Sequence, residues 1–451
     1  MKKKFSTASC HRMTRRSIVG LGLSTLATDA LKLGGMTLAG AGIKQLLWPE
    51  QAAFAADSTM QVGSSSNVIV VVFMRGAVDG LSMLAPYTEA AYYRDRPGIS
   101  IAAPISTISD PGQAPKNARL VGLDDRFGLH PELSKLKPIY DRGDLAFVHA
   151  IGSPTTSRSH FDAQDQMEAG TISFDSASSG WLNRALKISG RGEIHNSGNK
   201  SEFFRGVAIG DHMPRILRGD VETISIRKLK EMGINRKSPF LAGLHAMYDK
   251  EGQLHQTGFR ALRAIEALQN KVGRRYTPEN GATYAKDSNK FREVARLLKA
   301  DLGIDSVVVD FGGWDTHAGQ GAAQGSLANK FRKLAKGLAS FSQDMGERMK
   351  KVTVVTISEF GRTVAQNGSA GTDHGHGTAM LAMGAGVSGG KVYGRWPGIE
   401  PEQRYEGRDL AVTTDYRQFL AELLSSRWGV SDPTQIFPNY HVSANKIGIF
   451  G

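Results

Sequence analysis

Five apolar runs punctuate the chain: VIVVVF (68–73), LAFVHA (145–150), SVVVDF (306–311), VTVVTI (352–357) and AMLAMG (379–384). They are short, unbroken and mostly β-branched, a pattern of strands buried on both faces rather than one. Between them lie segments whose apolar residues recur every three to four positions: PELSKLKPIYD (131–141), NKFREVARLLKA (289–300) and SLANKFRKLAKGLASFSQDMGERM (326–349). Strand alternating with helix predicts an α/β fold, with a mainly parallel sheet and helices on both faces. A last helix is expected over TTDYRQFLAELLSSRWG (413–429), with Thr or Asp at its start and Gly429 at its end. Residues 185–300 depart from the alternation. They open with the polar run SGRGEIHNSGNKSEF and continue into HAMYDKEGQLHQTGFRALRAIEALQNKV, and are expected to form a mostly helical insertion or cap over the sheet.

The first residues do not belong to that fold. Lys2, Lys3, Lys4 and Arg12 form a basic stretch, Arg15 and Arg16 precede the apolar run SIVGLGLSTLA, and Ala53-Phe54-Ala55 gives an A-x-A cleavage site. This is the pattern of a twin-arginine signal peptide over 1–55, leaving 56–451 as the α/β domain and implying export to the periplasm or beyond by the twin-arginine machinery. Asp29 and Lys32 interrupt the apolar run well short of the ~20 residues a membrane span needs. The single cysteine, Cys10, lies inside the leader, so the mature chain has no thiolate to offer a metal or a substrate. The leader holds eight Lys/Arg and two Asp/Glu, and its removal lowers the formal charge from +13 to +7. That balance suits anionic partners. No helix-turn-helix, zinc-finger or basic-aromatic pattern accompanies it, so no nucleic-acid role is expected.

In an open parallel sheet, ligands bind beyond the carboxyl ends of the strands, where the outgoing loops converge. The segments after four of the expected strands carry the chemistry of the chain. MRGAVDGLSM contains Arg75 and Asp79; IGSPTTSRSHFDAQD contains Arg158, Ser159, His160 and Asp162; GGWDTH contains Asp315 and His317. SEFGRT contains Glu359 and Arg362 and leads into GTDHGHG, with Asp373, His374 and His376. Asp79, Asp315, His317, Asp373, His374 and His376 form a candidate set of metal ligands for one or two divalent cations, with zinc, manganese, magnesium and iron all compatible with mixed oxygen and imidazole donors. Glycines at 312, 313, 371, 375 and 377 permit tight ligand loops.

Each of these residues also has a plainer role. Asp79 in VDGL suits a turn, and Glu359 with Arg362 suits a structural ion pair as readily as a substrate contact. Ser159 stands at an expected helix N-terminus. There it is either a nucleophile, favoured by the helix dipole and free N–H groups, or an ordinary N-cap. Ser157 is the neighbouring alternative, and His160 suits a base or a ligand. The isolated His130, His149, His212 and His441 are expected to pack or lie at the surface.

The segments FMRGAVDGLSMLAPY, LHPELSKLKPIYDRGDLAFVHAIG, RSHFDAQDQMEAG, FGGWDTH, SEFGRT, GTDHGHG and RDLAVTTDYRQFLAELL together resemble the family called domain of unknown function 1501, over nearly the whole mature chain. The resemblance implies an exported bacterial protein with an alkaline phosphatase-like fold, related to sulfatases. It also implies roles. Asp79 would ligate the first metal with Asp373 and His374; Asp315 and His317, with His376, would serve a second; Ser159 would be the nucleophile. The spacing departs from phosphatases in two places: Asp315 and His317 are separated by one residue rather than three, and His376 follows His374 almost at once. Members of the family are often encoded beside another, domain of unknown function 1800, which implies a protein partner.

The resulting expectation is an exported metal-dependent hydrolase of phosphate or sulfate esters. In it Ser159 attacks, Arg158 and His160 assist, and Arg75, Arg362 and Glu359 line the substrate. Its competitor is an exported metal-binding or assembly protein that keeps the fold without turnover.

Overall fold

The computed structural model describes residues 36–39, 67–105, 118–173, 177–189, 205–227 and 275–451, together with 229, 266, 268, 271 and 272. The central strands are β1 (Val68–Phe73), β2 (Leu145–Gly152), β3 (Gly206–Ile209), β4 (Thr223–Ile226), β5 (Ser306–Asp310), β6 (Val352–Ile357) and β7 (Thr378–Gly384). The main helices are α1 (His160–Ala169), α2 (Trp181–Ile188), α3 (Asn289–Lys299), α4 (Ser326–Met345) and α5 (Tyr416–Trp428). The strands join in a ten-stranded sheet of order β4-β3-β5-β1-β6-β7-β2. A short strand Met36–Ala39, which falls inside the expected leader, pairs with β4 at the edge of the sheet, contrary to the expectation that the leader stays outside the fold, and the two-residue strands Val392–Tyr393 and Thr414–Asp415 both pair with β2.

Strands β4, β3, β5, β1 and β6 are mutually parallel, whereas β7 runs antiparallel to both β6 and β2. The sheet is therefore mixed and mainly parallel. The fifth apolar run, AMLAMG, is the exception to the parallel pattern. Its reversal places the segment before β7 at the carboxyl edge of β1, β5 and β6, so GTDHGHG arrives at that edge through a strand's beginning rather than its end.

The unbroken apolar runs follow from burial on two sides. Val68, Val70 and Val72 of β1 enter one core with Phe291 and Leu297 of α3 and Phe331, Leu334 and Phe341 of α4. Ile69, Val71 and Phe73 enter another with Trp181 and Leu186 of α2 and Phe419, Leu420 and Leu423 of α5. Successive side chains of a strand point to opposite faces, so a strand clad by helices on both sides needs apolar residues at every position. Helix α5 begins at Asp415, whose carboxylate accepts the backbone N–H of Arg417, and ends at Gly429 in the left-handed conformation.

Within 185–300, the described residues do not form a separate helical cap. Gly206–Ile209 and Thr223–Ile226 are strands of the central sheet, and α3 packs against it. The polar run 190–204 and most of 228–274, where the remaining helix of the expected insertion falls, lie outside the described residues. Among the described residues, no helix is long and apolar enough to cross a membrane.

Candidate metal centre

Three segments meet at the carboxyl edge of β1, β5 and β6, and backbone hydrogen bonds tie them together. The amides of Gly313 and Trp314 donate to the carbonyl of Arg75 at 3.1 and 3.3 Å, that of Thr372 donates to Thr316 at 3.1 Å, and that of Gly375 to Gly361 at 2.9 Å. Such contact leaves no room for side chains at certain positions. A Cβ on Gly76, whose φ is +115°, would lie 2.8 Å from the Asp315 nitrogen, and one on Gly371 would lie 2.3 Å from the His317 carbonyl carbon. The buried Arg362 guanidinium fastens the same place. It donates to the carbonyls of Ala77, Gly76 and Thr372 at 2.8–2.9 Å, and to Asp315 Oδ1.

Around that Asp315 oxygen stand three imidazoles. His317 Nε2 lies 3.0 Å from it, His374 Nε2 3.3 Å and His160 Nε2 3.4 Å. His160, Asp315 and His374 form a group whose ligand atoms all lie within 4.8 Å of one another. His317 joins them through its Nε2, 2.9 Å from that of His374. Donors at 2.0–2.1 Å from a tetrahedral zinc are about 3.3–3.4 Å apart, close to the separations of the His374 and His160 nitrogens from Asp315 Oδ1.

The far nitrogen of each ring explains the convergence. His160 Nδ1 is 2.8 Å from Glu359 Oε1, His317 Nδ1 is 3.1 Å from Asp373 Oδ1, and His374 Nδ1 is 2.7 Å from the Arg158 carbonyl. All three partners are acceptors, so each ring places its proton on Nδ1 and, when neutral, turns the Nε2 lone pair toward Asp315. Carboxylate or carbonyl acceptors behind ligating histidines are the usual support of a metal site. His160 Nε2 is moreover buried, and beyond the Asp315 oxygen at 3.4 Å it makes no hydrogen bond. Lone pairs and a carboxylate facing one another across about 3 Å repel unless a proton or a cation relieves them, and the Arg362 guanidinium supplies part of that charge at Asp315 Oδ1. Three imidazoles and a carboxylate are a donor set that fits a divalent ion.

The electrostatics agree. Asp315 is partly desolvated, which opposes ionisation, yet Arg362 and the nearby histidines hold its pKa down to about 2. Burial likewise works against ionised Glu359, but the bonds from His160, from Gln164 (Nε2 to Oε1, 2.8 Å) and from the Gly76 amide (2.7 Å) bring its pKa below the ordinary value. Bonds from Asn367 and His317 lower that of Asp373. His160 is shifted up by its bond to Glu359, whereas desolvation shifts His374 down. Phe360 stacks on His160, with centroids 5.0 Å apart, and closes the inner side. The outer side is open: the Asp315 and His317 side chains are each 43 % exposed.

The structure brings together His160, Asp315, His317 and His374 and sets the other expected ligands apart. Asp79 is a correction: its carboxylate is buried and enclosed by Arg96 Nη1 at 2.8 Å, Gln320 Nε2 at 2.7 Å and Ser82 Oγ at 2.8 Å. Desolvation would raise its pKa, but Arg96 together with Gln320 and Ser82 lowers it. Asp373 orients His317 from behind rather than facing the cage. His376 is buried and stacked on Tyr405, centroids 4.3 Å apart, and desolvation lowers its pKa. One cage, not two, forms among the described residues.

The anion-binding residues are also otherwise engaged. Arg75 pairs with Asp310 at 2.7 Å and Glu168 at 2.8 Å; Arg158 pairs with Glu406 at 2.6 Å and Asp409 at 2.8 Å; Arg362 holds Asp315. Glu359 and Arg362 form no pair with each other, because each is taken by a residue of the cage. Ser159 is the N-cap of α1, its hydroxyl accepting from the Asp162 amide at 3.4 Å. His130 and His149 are packing residues, as their isolation suggests, each using Nδ1 to accept a backbone N–H. Two supporting residues escaped the sequence reading. Asn367 bonds Asp373 at 2.9 Å and has no sequence signal. Gln164 had one: it lies four positions after His160, on the same helix face.

A mixed, mainly parallel sheet clad by helices, with a His/Asp cage at its carboxyl edge, defines the class as an α/β protein with a candidate metal centre. The chain belongs to the family described as protein of unknown function DUF1501, whose model matches residues 66–436. No curated protein matches in sequence. Three solved structures are remotely similar to the chain. Ps i-CgsB in complex with k-i-k-neocarrahexaose is 10% identical, with a TM-score of 0.36 over 82% of this chain and 74% of that one. The PsFucS1 sulfatase from Pseudoalteromonas sp. is 10% identical, with a TM-score of 0.34 over 86% and 72%. The C-terminal periplasmic domain of EcEptC from Escherichia coli, in complex with Zn, is 10% identical, with a TM-score of 0.28 over 72% and 74%.

Proposed function

We propose that the protein is an exported metal-dependent hydrolase of phosphate or sulfate esters, with one divalent ion held by His160, His317, His374 and Asp315. The observation that carries this reading is the common orientation of the three imidazoles, each with Nδ1 on an acceptor and Nε2 toward Asp315. A divalent ion there would supply Lewis acidity, polarising an ester oxygen and lowering the pKa of a water. Glu359, Asp373 and the Arg158 carbonyl keep the imidazoles oriented, and Arg362 steadies Asp315 while adding positive charge beside the site. The exposed faces of Asp315 and His317 leave a side through which an anionic ester can approach. Ser159, adjacent to His160 at the start of α1, is the candidate nucleophile, and a water is its competitor. The twin-arginine leader supports export, and the family resemblance supports a domain of unknown function 1800 protein as partner.

A second reading, metal binding or assembly without turnover, is favoured by two observations: the Ser159 hydroxyl is used as a helix cap, and Asp79 is locked to Arg96. One experiment separates the two. The mature protein, purified without added metal, is assayed for bound metals by elemental mass spectrometry and for hydrolysis of aryl phosphate and sulfate esters. About one equivalent of metal, lost in His374→Ala, together with metal-dependent hydrolysis, supports the hydrolase. Metal without hydrolysis supports the binding protein, and wild-type metal no higher than in His374→Ala removes both. If hydrolysis occurs, loss of the rate in Ser159→Ala assigns the nucleophile to Ser159, and retention assigns it to water.

A further inference from the structure

Behind His160, helix α1 carries an unusual inward stripe. Positions 160, 164 and 168 share one face, as i, i+4 and i+8 must, and all three are polar. His160 meets Glu359; Gln164 donates to Glu359 through Nε2 at 2.8 Å and accepts from Arg75 Nη1 through Oε1 at 3.0 Å; Glu168 pairs with Arg75 and accepts the Ile216 amide at 2.8 Å. The stripe leads from the cage to Asp310 at the end of β5, which holds Arg75 Nε at 2.7 Å.

The amide of Gln164 has only one orientation that satisfies both neighbours. Arg75 is solely a donor and must face the amide oxygen; an ionised Glu359 is solely an acceptor and must face the amide nitrogen. Arg75 thus sets the amide, and the amide in turn holds Glu359 Oε1 where it receives His160 Nδ1–H.

We propose that Gln164, oriented by Arg75, is a positioning residue of the metal centre: it acts through Glu359 to hold His160 Nε2 aimed at the cage. This rests on the metal reading given above. It assigns to Arg75 a supporting role at the end of a hydrogen-bonded column, in place of contact with substrate. Outer partners of ligating histidines commonly alter metal affinity by about 10–100-fold.

The test is the Zn²⁺ dissociation constant of the mature protein, measured by chelator competition, for wild type, Gln164→Met, His160→Ala, the double variant and His374→Ala. Gln164→Met keeps the volume and removes both hydrogen bonds. It is expected to weaken Zn²⁺ about 10-fold in the wild-type background and to have no further effect once His160 is alanine, a coupling that a purely structural role would not produce. If Gln164→Met does not fold, Gln164→Glu, which is isosteric and retains an acceptor for Arg75, takes the same measurements with the same expectation. Equal Zn²⁺ affinity in wild type and variant overturns the proposal, as does an equal loss in both backgrounds. A wild type that binds Zn²⁺ no better than His374→Ala overturns the metal reading itself, which is a distinct result.

Discussion

Asp79→Asn separates the two roles open to the first-strand carboxylate. Asp79 and Arg96 are 1 % and 0 % exposed, and the Arg96 guanidinium also donates to the carbonyls of Val364 at 2.7 Å and Thr363 at 2.9 Å. Neutralising the carboxylate leaves a buried cation whose remaining partners are dipoles. Removing one member of a buried pair ordinarily costs about 3–5 kcal/mol, and asparagine keeps one acceptor oxygen, which points to the lower end, about 3 kcal/mol. Unfolding entropy of about 2.1 cal/mol/K per residue over roughly 400 residues gives roughly 0.8 kcal/mol/K, so the expected fall in Tm is about 4 °C. Thermal unfolding is followed by circular dichroism in EDTA, and bound metal is measured on protein never exposed to chelator. The expected result is a lower Tm with wild-type metal content. A variant that loses its metal while its Tm in EDTA is unchanged would refute the structural role and restore Asp79 as a ligand. Arg96→Met in the same background should recover part of the loss, because it removes the stranded charge.

Three further outcomes follow from other buried groups. Burial lowers the pKa of both His130 and His149 to about 4 against an ordinary value near 6.5; the neutral rings therefore contribute stability fully present above about pH 6.5 and lost as pH falls toward 4. At pH 4.5 each loss is about 2–3 kcal/mol, so in EDTA the urea midpoint should fall more for wild type than for His149→Phe between pH 7 and 4.5, and equal falls would contradict the assignment. Gly76→Ala forces a Cβ to 2.8 Å from the Asp315 nitrogen at a φ of +115°; it should cost more than about 1 kcal/mol and also weaken Zn²⁺ binding, and unchanged Zn²⁺ affinity would show that Asp315 tolerates the shift. Asp344, fully buried, accepts from Tyr276 at 2.6 Å, Tyr284 at 2.8 Å, the Glu279 amide at 2.8 Å and Lys299 at 2.5 Å. Asp344→Ala should lower stability by about 3–5 kcal/mol with metal content unchanged, and a loss of metal would reveal coupling that no contact predicts.

Much of the fold is legible because burial on both faces leaves a one-dimensional trace. Val68–Phe73, Ser306–Asp310 and Val352–Ile357 read as strands at every position, and helices α3, α4 and α5 read from their spacing. Strand direction leaves no such trace. Thr378–Gly384 is as apolar as its neighbours, and only the 20-residue return from Ile357 at the same sheet edge makes it antiparallel. Gly206–Ile209 and Thr223–Ile226 are four residues each, too short to stand out within a polar region, so the helical reading of 185–300 passed over two strands of the main sheet.

At the site, residue type and strand ends locate the chemistry, but not the division of labour within it. His160, Asp315, His317 and His374 follow three different strands and meet because the carboxyl edges align. Asp79 and Asp373 have the same side chain in the same region, yet one neutralises an arginine seventeen positions away and the other orients an imidazole from behind. What decides a histidine's role is the group its Nδ1 finds. In His130 and His149 that nitrogen accepts a backbone N–H, so the proton resides on Nε2, which donates to the carbonyls of Ala322 and Leu84 and has nothing to give a cation. In His160, His317 and His374 it faces an oxygen, so the proton moves to Nδ1 and Nε2 is left as a donor of electrons. The partners that impose this are Glu359, Asp373 and the Arg158 carbonyl, 199, 56 and 216 positions from the rings they hold. The tautomer, and with it the capacity to bind a metal, is thus a property of the assembled sheet edge.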